Sequence, residues 1–529
     1  MSATEEEHGK LYWLQYNLRK GAARRIEGFL KRRPVVAIVT LVTTFLLIFI
    51  WRSLWHPFVL TFRKYAFWIF VLLVLVWLLG KVFRGKHRWI QALGSLASVL
   101  GLVALIYIGP LLIGFVSQYV QYHRLNKVEV DELPITGHER VQPISSIHTL
   151  TDQEALSETE DATSPRFIRD SDGTYAYTTA IGPSKQYRVQ QFLKDMSEVI
   201  TIPGSAPSPD FSSKYRSKVD FDIGENLLFS KNTHTAALKH MSLWQYCTME
   251  PAEAVYLRND AGEWVQVVSL IKWVGVAFPR PVFGGVNVIE QRKPSDNWIK
   301  RMLFGRGTFI PAGDIKDHPY LVGQDLMPHE VSRYIAECFR FRRGFTAPLP
   351  GYHEGDIRIP KLPEGQDPQP FVLYTTLGDG PGKLFNYYGL EPFEEAKKGL
   401  SVSLFIPGDD MQQVYVIDHT RQGDAYVGSS AVSAKIVESK KMYDWTHSYP
   451  AETRPYIRQM DNANRLFWLS TIVTRAGDGD GRFIGGSIPE VTITDAVTGK
   501  VTWIPEDAIG RPDEWMPIVE ESLGRHLGR

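Results

Sequence analysis

Three apolar runs dominate the first quarter of the chain: Val35 to Trp51, Tyr65 to Gly80 (extendable to Phe83), and Trp89 to about Val116. A bilayer core of about 30 Å takes about 20 helical residues, and flanking Lys or Arg can snorkel to complete a short run. Gln91 is the one strongly polar interruption, and Trp51, Trp55, Tyr65, Trp68 and Trp89 lie near run ends, where aromatic rings favour the membrane interface. The pattern predicts a helical membrane domain over 34–120 with three transmembrane helices, at about 34–51, 65–83 and 89–116. No small-x-small cleavage site follows the first run, so it reads as a retained anchor rather than a signal peptide.

Small residues at helical spacing, Gly94, Ala97, Ser98, Gly101 and Ala104, mark a helix-packing face on the third run. None of the runs carries Asp, Glu, Lys, Arg or His in its interior, which argues against an ion or proton path. Ahead of them, Leu11, Leu14, Leu18, Ala22, Ile26 and Phe29 recur every three or four residues. Arg19, Lys20, Arg24, Arg25, Lys31, Arg32 and Arg33 surround them, so residues 1–33 read as a basic amphipathic helix lying on anionic lipid or docking a partner.

Beyond residue 120 the period changes. A Ser/Thr/Asp/Glu-rich stretch, Ser145 to Ser164, makes 121–165 read as a linker. Alternating β-branched and aromatic residues broken by Asp or Asn with Gly then predict hairpins at 167–177, 254–267 and 491–504. A looser one runs from Val414–Asp418 to Ala425–Val427. Helices are expected at Pro328–Arg343, Thr233–Cys247 and Glu514–Leu527. The Pro/Gly-rich segment 348–370 divides a first lobe, 166–347, from a second, 371–529. The expected fold is thus an N-terminal α-helical membrane domain plus a large α+β, predominantly antiparallel-β extracytoplasmic region in two lobes.

Charge sharpens this division. The whole chain balances 59 Lys and Arg against 58 Asp and Glu, yet 16 of the basic and only 4 of the acidic residues precede Leu125. A basic, apolar head is joined to an acidic body, which excludes a basic nucleic-acid binder. With three spans, twelve Lys/Arg flank one side and five the other. The positive-inside rule then puts the N-terminus in the cytoplasm and the body outside it. No Asn of the body opens an Asn-x-Ser/Thr sequon, which leans toward a bacterial inner membrane with a periplasmic body.

Chemistry is sparse. His138-Glu139, His329-Glu330 and His353-Glu354 each lack the second His of a zinc-protease helix, and no G-x-S-x-G elbow is present. No cofactor is expected. Cys247 and Cys338 form a possible disulfide in an oxidising compartment, with buried free thiols the competing reading. Pro489-Glu490-Val491-Thr492-Ile493-Thr494-Asp495-Ala496-Val497-Thr498-Gly499-Lys500-Val501, with the strand that follows it to Ile504, resembles the closing hairpin of PepSY-like and cystatin-like extracytoplasmic domains. That resemblance implies a helix packed on an antiparallel sheet and a binding or regulatory role. The leading expectation is a membrane-anchored structural, scaffold or assembly subunit that binds membrane lipids and other envelope proteins, or copies of itself. A ligand-sensing module is the first alternative, and an envelope enzyme without a recognisable motif the second.

Overall fold

The computed structural model describes residues 34–83, 101, 103, 107–347, 356–361, 368–378, 381–394, 399–410, 413–422, 425–474 and 490–527. The basic segment 1–33, with Arg19, Lys20, Arg24, Arg25, Lys31, Arg32 and Arg33, lies outside them, as do Gly94, Ala97, Ser98 and Ala104. Gly101 is described, and is exposed.

The chain forms two compact units, Met1–Pro57 and Phe58–Arg529. Helix α1 (Pro34–Ile50) is uniformly apolar but has 17 residues, short of the span a bilayer needs unaided. Helix α2 (Arg52–Phe83) has 32 residues and contains Pro57. Its stretch Arg52–Leu78 is, among the described residues, the one helix long and apolar enough to cross a membrane. Of the three expected spans, one is a candidate among the described residues, and most of the third, 89–116, lies outside them. The segment read as a loop between the first two runs is helical, because Leu54, Trp55, Phe58 and Phe62 carry the apolar pattern through Arg52, Arg63 and Lys64. The third run ends differently too: α3 (Gly109–Arg124) continues past Val116 and turns amphipathic, with Ile113, Ser117 and Gln121 buried.

The stretch read as a linker is built into the body. It contributes β1 (Lys127–Glu129), β2 (Thr136–Gly137) and α4 (Ile144–Leu150), which runs into a π turn at Thr151–Ala155. Its few apolar side chains, Ile147 and Leu150, lie three apart on one face, and both are buried. Sheet one follows, with β3 (Glu160–Ala162), β4 (Arg166–Arg169), β5 (Tyr175–Pro183), β6 (Met196–Pro203) and β7 (Arg216–Phe221) in the order β3-β5-β6-β7, β4 also pairing β5. Helix α5 (Arg188–Leu193) joins β5 to β6.

The helix expected over Thr233–Cys247 is two: α6 (Thr233–His240) and α7 (Leu243–Thr248). Ser242 starts a new helix there through a capping box with Gln245. Sheet two is a meander of β8 (Met249–Arg258), β9 (Trp264–Val274), β10 (Arg280–Glu290) and β11 (Thr308–Pro311), with α8 (Trp298–Phe304) before its last strand. Helix α9 (His329–Cys338) follows.

Sheet three has β12 (Ile357–Arg358), β13 (Phe371–Thr375), β14 (Lys383–Pro392), β15 (Val402–Pro407) and β16 (Val414–Asp418), and takes up β1 and β2 at its ends. Helices α10 (His419–Gln422) and α11 (Ser429–Ser439) lead to sheet four, β17 (Ser448–Met460), β18 (Ala463–Thr474), β19 (Glu490–Asp495) and β20 (Val501–Trp503), closed by α12 (Trp515–Leu527). Trp515, Val519 and Leu523 of α12 pack on Tyr456, Phe467, Val491 and Ile493, so a helix lies on the antiparallel sheet that ends in the β19–β20 hairpin.

Three of the four expected hairpins form, at β4–β5, β8–β9 and β19–β20, with Gly173, Gly262 and Gly499 at positive φ in their turns. The fourth does not: β16 pairs with β15 and with β1, while Val427 bridges Gly399. Segment 348–370 lies inside the second unit, and one apolar core joins residues on both sides of it, including Val267, Val286, Ile335, Leu390 and Val402.

Gly285 marks a bulge where the β9–β10 register slips, at φ +106°, and a Cβ there would run into the Ile310 carbonyl and the Ala312 amide. Gly285→Ala is expected to lower unfolding free energy by about 2–4 kcal/mol through backbone strain and overpacking. A urea melt of the full chain in detergent checks this, and an unchanged midpoint would contradict it.

Candidate functional site

Where sheets one and two meet α6 and α9, a cleft of about 360 Å³ opens, lined by Ser164, Arg166, Glu225, His234, Glu250, Pro251, Ala252, Glu253, Ile271 and Glu330. Four of the ten are glutamates, and Arg166 is the one fixed cation among them.

Local structure explains each placement. Pro251 cannot donate to a β-ladder, and the β8–β9 register slips between Pro251 and Ala254, which takes Ala252 and Glu253 out of the ladder. Glu253 Oε1 accepts from the His329 backbone N–H at 3.3 Å and lies 3.7 Å from Arg166 Nη2, while its Oε2 is sealed from solvent with no hydrogen-bond partner. Glu330 stands in the first turn of α9, where the helix dipole favours a carboxylate. Glu225 sits in the turn after β7, held by Asn232. The Asn232 amide donates to the Glu225 carbonyl at 3.1 Å, and its side-chain oxygen caps α6 by accepting from His234 and Thr235 N–H.

Arg166 is fixed from behind. Its Nη1 lies within 3.4 Å of the His329 ring, His329 Nε2 is 3.2 Å from Asp325 Oδ2, and Asn386 donates to Asp325 Oδ1 at 2.7 Å. This chain of polar groups orients the guanidinium toward Glu253.

The carboxylates outnumber their partners. Burial pushes the Glu225 carboxyl up to about 7, Glu253 adds to the rise, and Arg166 and Lys185 pull against it. Glu225 Oε2 is also sealed and has no hydrogen-bond partner. Partial burial raises the Glu330 carboxyl, with Glu250 and Glu253 adding to the rise and Lys64 opposing it. Two carboxylate oxygens without hydrogen-bond partners are a standing desolvation cost beside the cleft. Among the described residues no three His, Cys, Asp or Glu converge closely enough to hold a metal ion.

Glu250 links the cleft to α2. Its Oε1 accepts from Trp273 Nε1 at 2.5 Å and lies 3.8 Å from Lys64 Nζ, whose ammonium sits 3.3 Å from the centre of the Trp273 ring. Arg63 donates to the Gly275 carbonyl at 3.3 Å and Trp68 to that of Ala277 at 2.5 Å, so the β9–β10 turn is fastened to the helix over two turns. Helix α3 is tied in through Gln118 to Glu337 on α9, and by Phe115 and Tyr119 against Phe341 and Phe345.

Of the two readings of the cysteines, the structure has both thiols free. Cys338 is buried at the end of α9, its Sγ–H donates to the Tyr334 carbonyl at 3.0 Å, and burial pushes the thiol well above its ordinary range. Cys247 lies half-buried on α7. The sequence singled out His329-Glu330, but as a failed zinc motif. Arg166, Glu225, Glu250 and Glu253 went unnoticed, although a Pro between two glutamates in a strand pattern is a bulge signal.

No protein-family model, curated protein or solved structure matches this chain.

Proposed function

We propose that this chain is a membrane-anchored, non-catalytic binding protein that senses an organic cation, an amine or guanidinium, in the glutamate cleft. One observation carries the reading: Glu250 both lines the cleft and faces Lys64 on the candidate membrane helix. A cation entering the cleft competes with Lys64 for that carboxylate, so occupancy is felt directly by the anchor. The excess of Lys and Arg ahead of the apolar runs, with no sequon in the body, supports a bacterial inner membrane with the N-terminus in the cytoplasm.

Calorimetric titration of the detergent-solubilised full chain with putrescine and agmatine is expected to give saturable binding, at least about tenfold weaker in Glu253→Gln. Heats identical to those of a neutral diol, in wild type and variant alike, would overturn the reading.

A scaffold or assembly subunit is the second reading, favoured by the single core that runs from sheet two through α9 into sheet three, a rigid platform larger than one cleft requires. It predicts a reproducible assembly with other envelope proteins in mild detergent, by native mass and mass spectrometry of its companions. A lone monomer would sink it.

A further inference from the structure

Helices α2 and α3 and the β9–β10 turn enclose a second cavity, of about 410 Å³, as apolar as the cleft is charged. Its lining includes Tyr65, Trp68 and Ile69 of α2, Ile113 and Val116 of α3, and Phe278 of the turn. The size falls within the range of small-molecule sites, about 300–1,000 Å³. Trp68 spends its indole N–H on the Ala277 carbonyl at 2.5 Å, and its ring lies 5.8 Å from that of Phe278. Water finds few partners in such a space, whereas hydrocarbon suits it. Ile69 and Leu112, both part of the lining, are 37% and 58% exposed, so the cavity opens outward beside the candidate membrane helix.

The turn that carries Phe278 also gathers positive charge. Arg63, two residues ahead of Tyr65, donates to the Gly275 carbonyl at 3.3 Å, and Arg280 Nη1 lies 3.5 Å from where a Cβ on Gly275 would stand. Arg124, the last residue of α3, adds a third guanidinium: burial and then the like charge of Arg124 hold Arg280 below its ordinary range. Among the described residues no carboxylate pairs with any of these three arginines, whereas the neighbouring Lys64 has Glu250. Arg63 and Arg280 are half-buried, where a cation without a counter-ion is costly. A hydrocarbon cavity with unpaired guanidiniums beside it has the outline of an amphiphile, an acyl chain with an anionic head.

We infer that one anionic phospholipid of the membrane around α2 binds here, with an acyl chain in the cavity and its phosphate against Arg280 and Arg63. The candidate span of 27 residues is about 40 Å long against a bilayer core of about 30 Å, so part of it stands among headgroups whichever way it is placed. The bound lipid bridges the two helices and the turn that joins them to sheet two. The site rests on α2 as the proposed membrane anchor, and one experiment separates the two.

The full chain is placed in phosphatidylcholine nanodiscs doped with phosphatidylglycerol or phosphatidylcholine that carries a photoreactive diazirine on one acyl chain. After irradiation, the cross-linked residues are located by mass spectrometry. Phe278, which belongs to the body, is expected to be labelled about fivefold more by the phosphatidylglycerol probe. Leu73 and Trp77, exposed on α2, report bulk lipid and are expected to show no preference. Arg280→Gln is expected to remove the preference at Phe278, and Arg280→Lys to keep most of it. Val116→Trp, which fills the cavity from α3, is expected to remove the label at Phe278 and spare those at Leu73 and Trp77. Labelling of Leu73 and Trp77 without Phe278 would overturn the site and mean that protein, a second copy included, fills the cavity. Equal labelling of Phe278 by the two probes would overturn the contact between phosphate and arginine. Absence of label at Leu73 and Trp77 would instead overturn α2 as the anchor.

Discussion

Glu452→Gln is expected to cost about 3–5 kcal/mol of stability, the largest effect of any single substitution considered for this chain. Glu452 lies at the start of β17's bulge, at φ +45°, and is 2% exposed. It forms an ion pair with Arg140, which is 2% exposed, and its Oε2 lies 3.5 Å from Nη1 of Arg454, which is fully buried. Arg140 also donates to the Tyr177 hydroxyl at 3.2 Å, Tyr177 to the Gln142 carbonyl at 2.8 Å, and Arg454 to the Arg140 carbonyl. One carboxylate thus faces two buried guanidiniums, joining the segment after β2 to β5 of sheet one and β17 of sheet four. Without it, two like charges remain in a region of low dielectric with neither held by a direct ion pair, and only the more distant Glu139 acts on Arg454. Replacing Arg140, Glu452 and Arg454 together by Met, Leu and Met is expected to recover part of the loss, since apolar groups of similar volume carry no desolvation cost. Urea unfolding followed by tryptophan fluorescence measures both. A loss below about 1 kcal/mol for Glu452→Gln, the range of a surface pair, would contradict the account.

Glu225→Gln is expected to act in the opposite direction, and only at higher pH. The unfolded chain ionises this carboxyl near its ordinary 4.5, whereas the folded chain holds the proton to about 7. Between those values the folded state binds more protons, so wild-type stability falls as pH rises, by about 1.4 kcal/mol per pH unit at its steepest and about 3 kcal/mol in all. The glutamine variant escapes that loss. It should exceed wild type by up to about 3 kcal/mol at pH 8, with the advantage gone below pH 4.5, as thermal melts across that window would show. A pH-independent difference would mean that Glu225 is not the titrating group. The same proton links to the ligand: an organic cation binds the ionised carboxylate, so its affinity should rise through pH 7 with release of up to one proton per site.

What the sequence conveyed was local. The hairpins at β4–β5, β8–β9 and β19–β20 were legible because a Gly turn and alternating strands lie within about a dozen residues of one another. The expected hairpin at 414–427 failed because β16 finds partners on both sides, β15 and the distant β1, that no turn signal announces. The stretch at 145–164 looked like a linker because half of its buried groups carry hydroxyls: Thr151 is fully buried and bonds back to the Ile147 carbonyl at 2.7 Å, which a hydrophobic pattern cannot register. The cleft was illegible for a related reason. Its glutamates come from the turn after β7, the bulge of β8 and the first turn of α9, each unremarkable alone, and only the packing of two sheets and two helices removes their water.

The junction of α3 with sheet three bears on mechanics. Two residues after α3 ends at Arg124, β1 begins, running parallel to β16. Val414 donates to the Asn126 carbonyl at 2.9 Å and Val130 to that of Val416 at 3.0 Å. A pull along this segment loads its hydrogen bonds to β16 in shear, all at once, instead of peeling them one by one. Lys127 clamps the bend by donating to the Tyr122 carbonyl at 2.7 Å while lying over the Tyr122 ring. Helix and strand therefore behave as a stiff rod under tension, and a displacement of α3 is passed through the edge strand β1 to β16 as one unit.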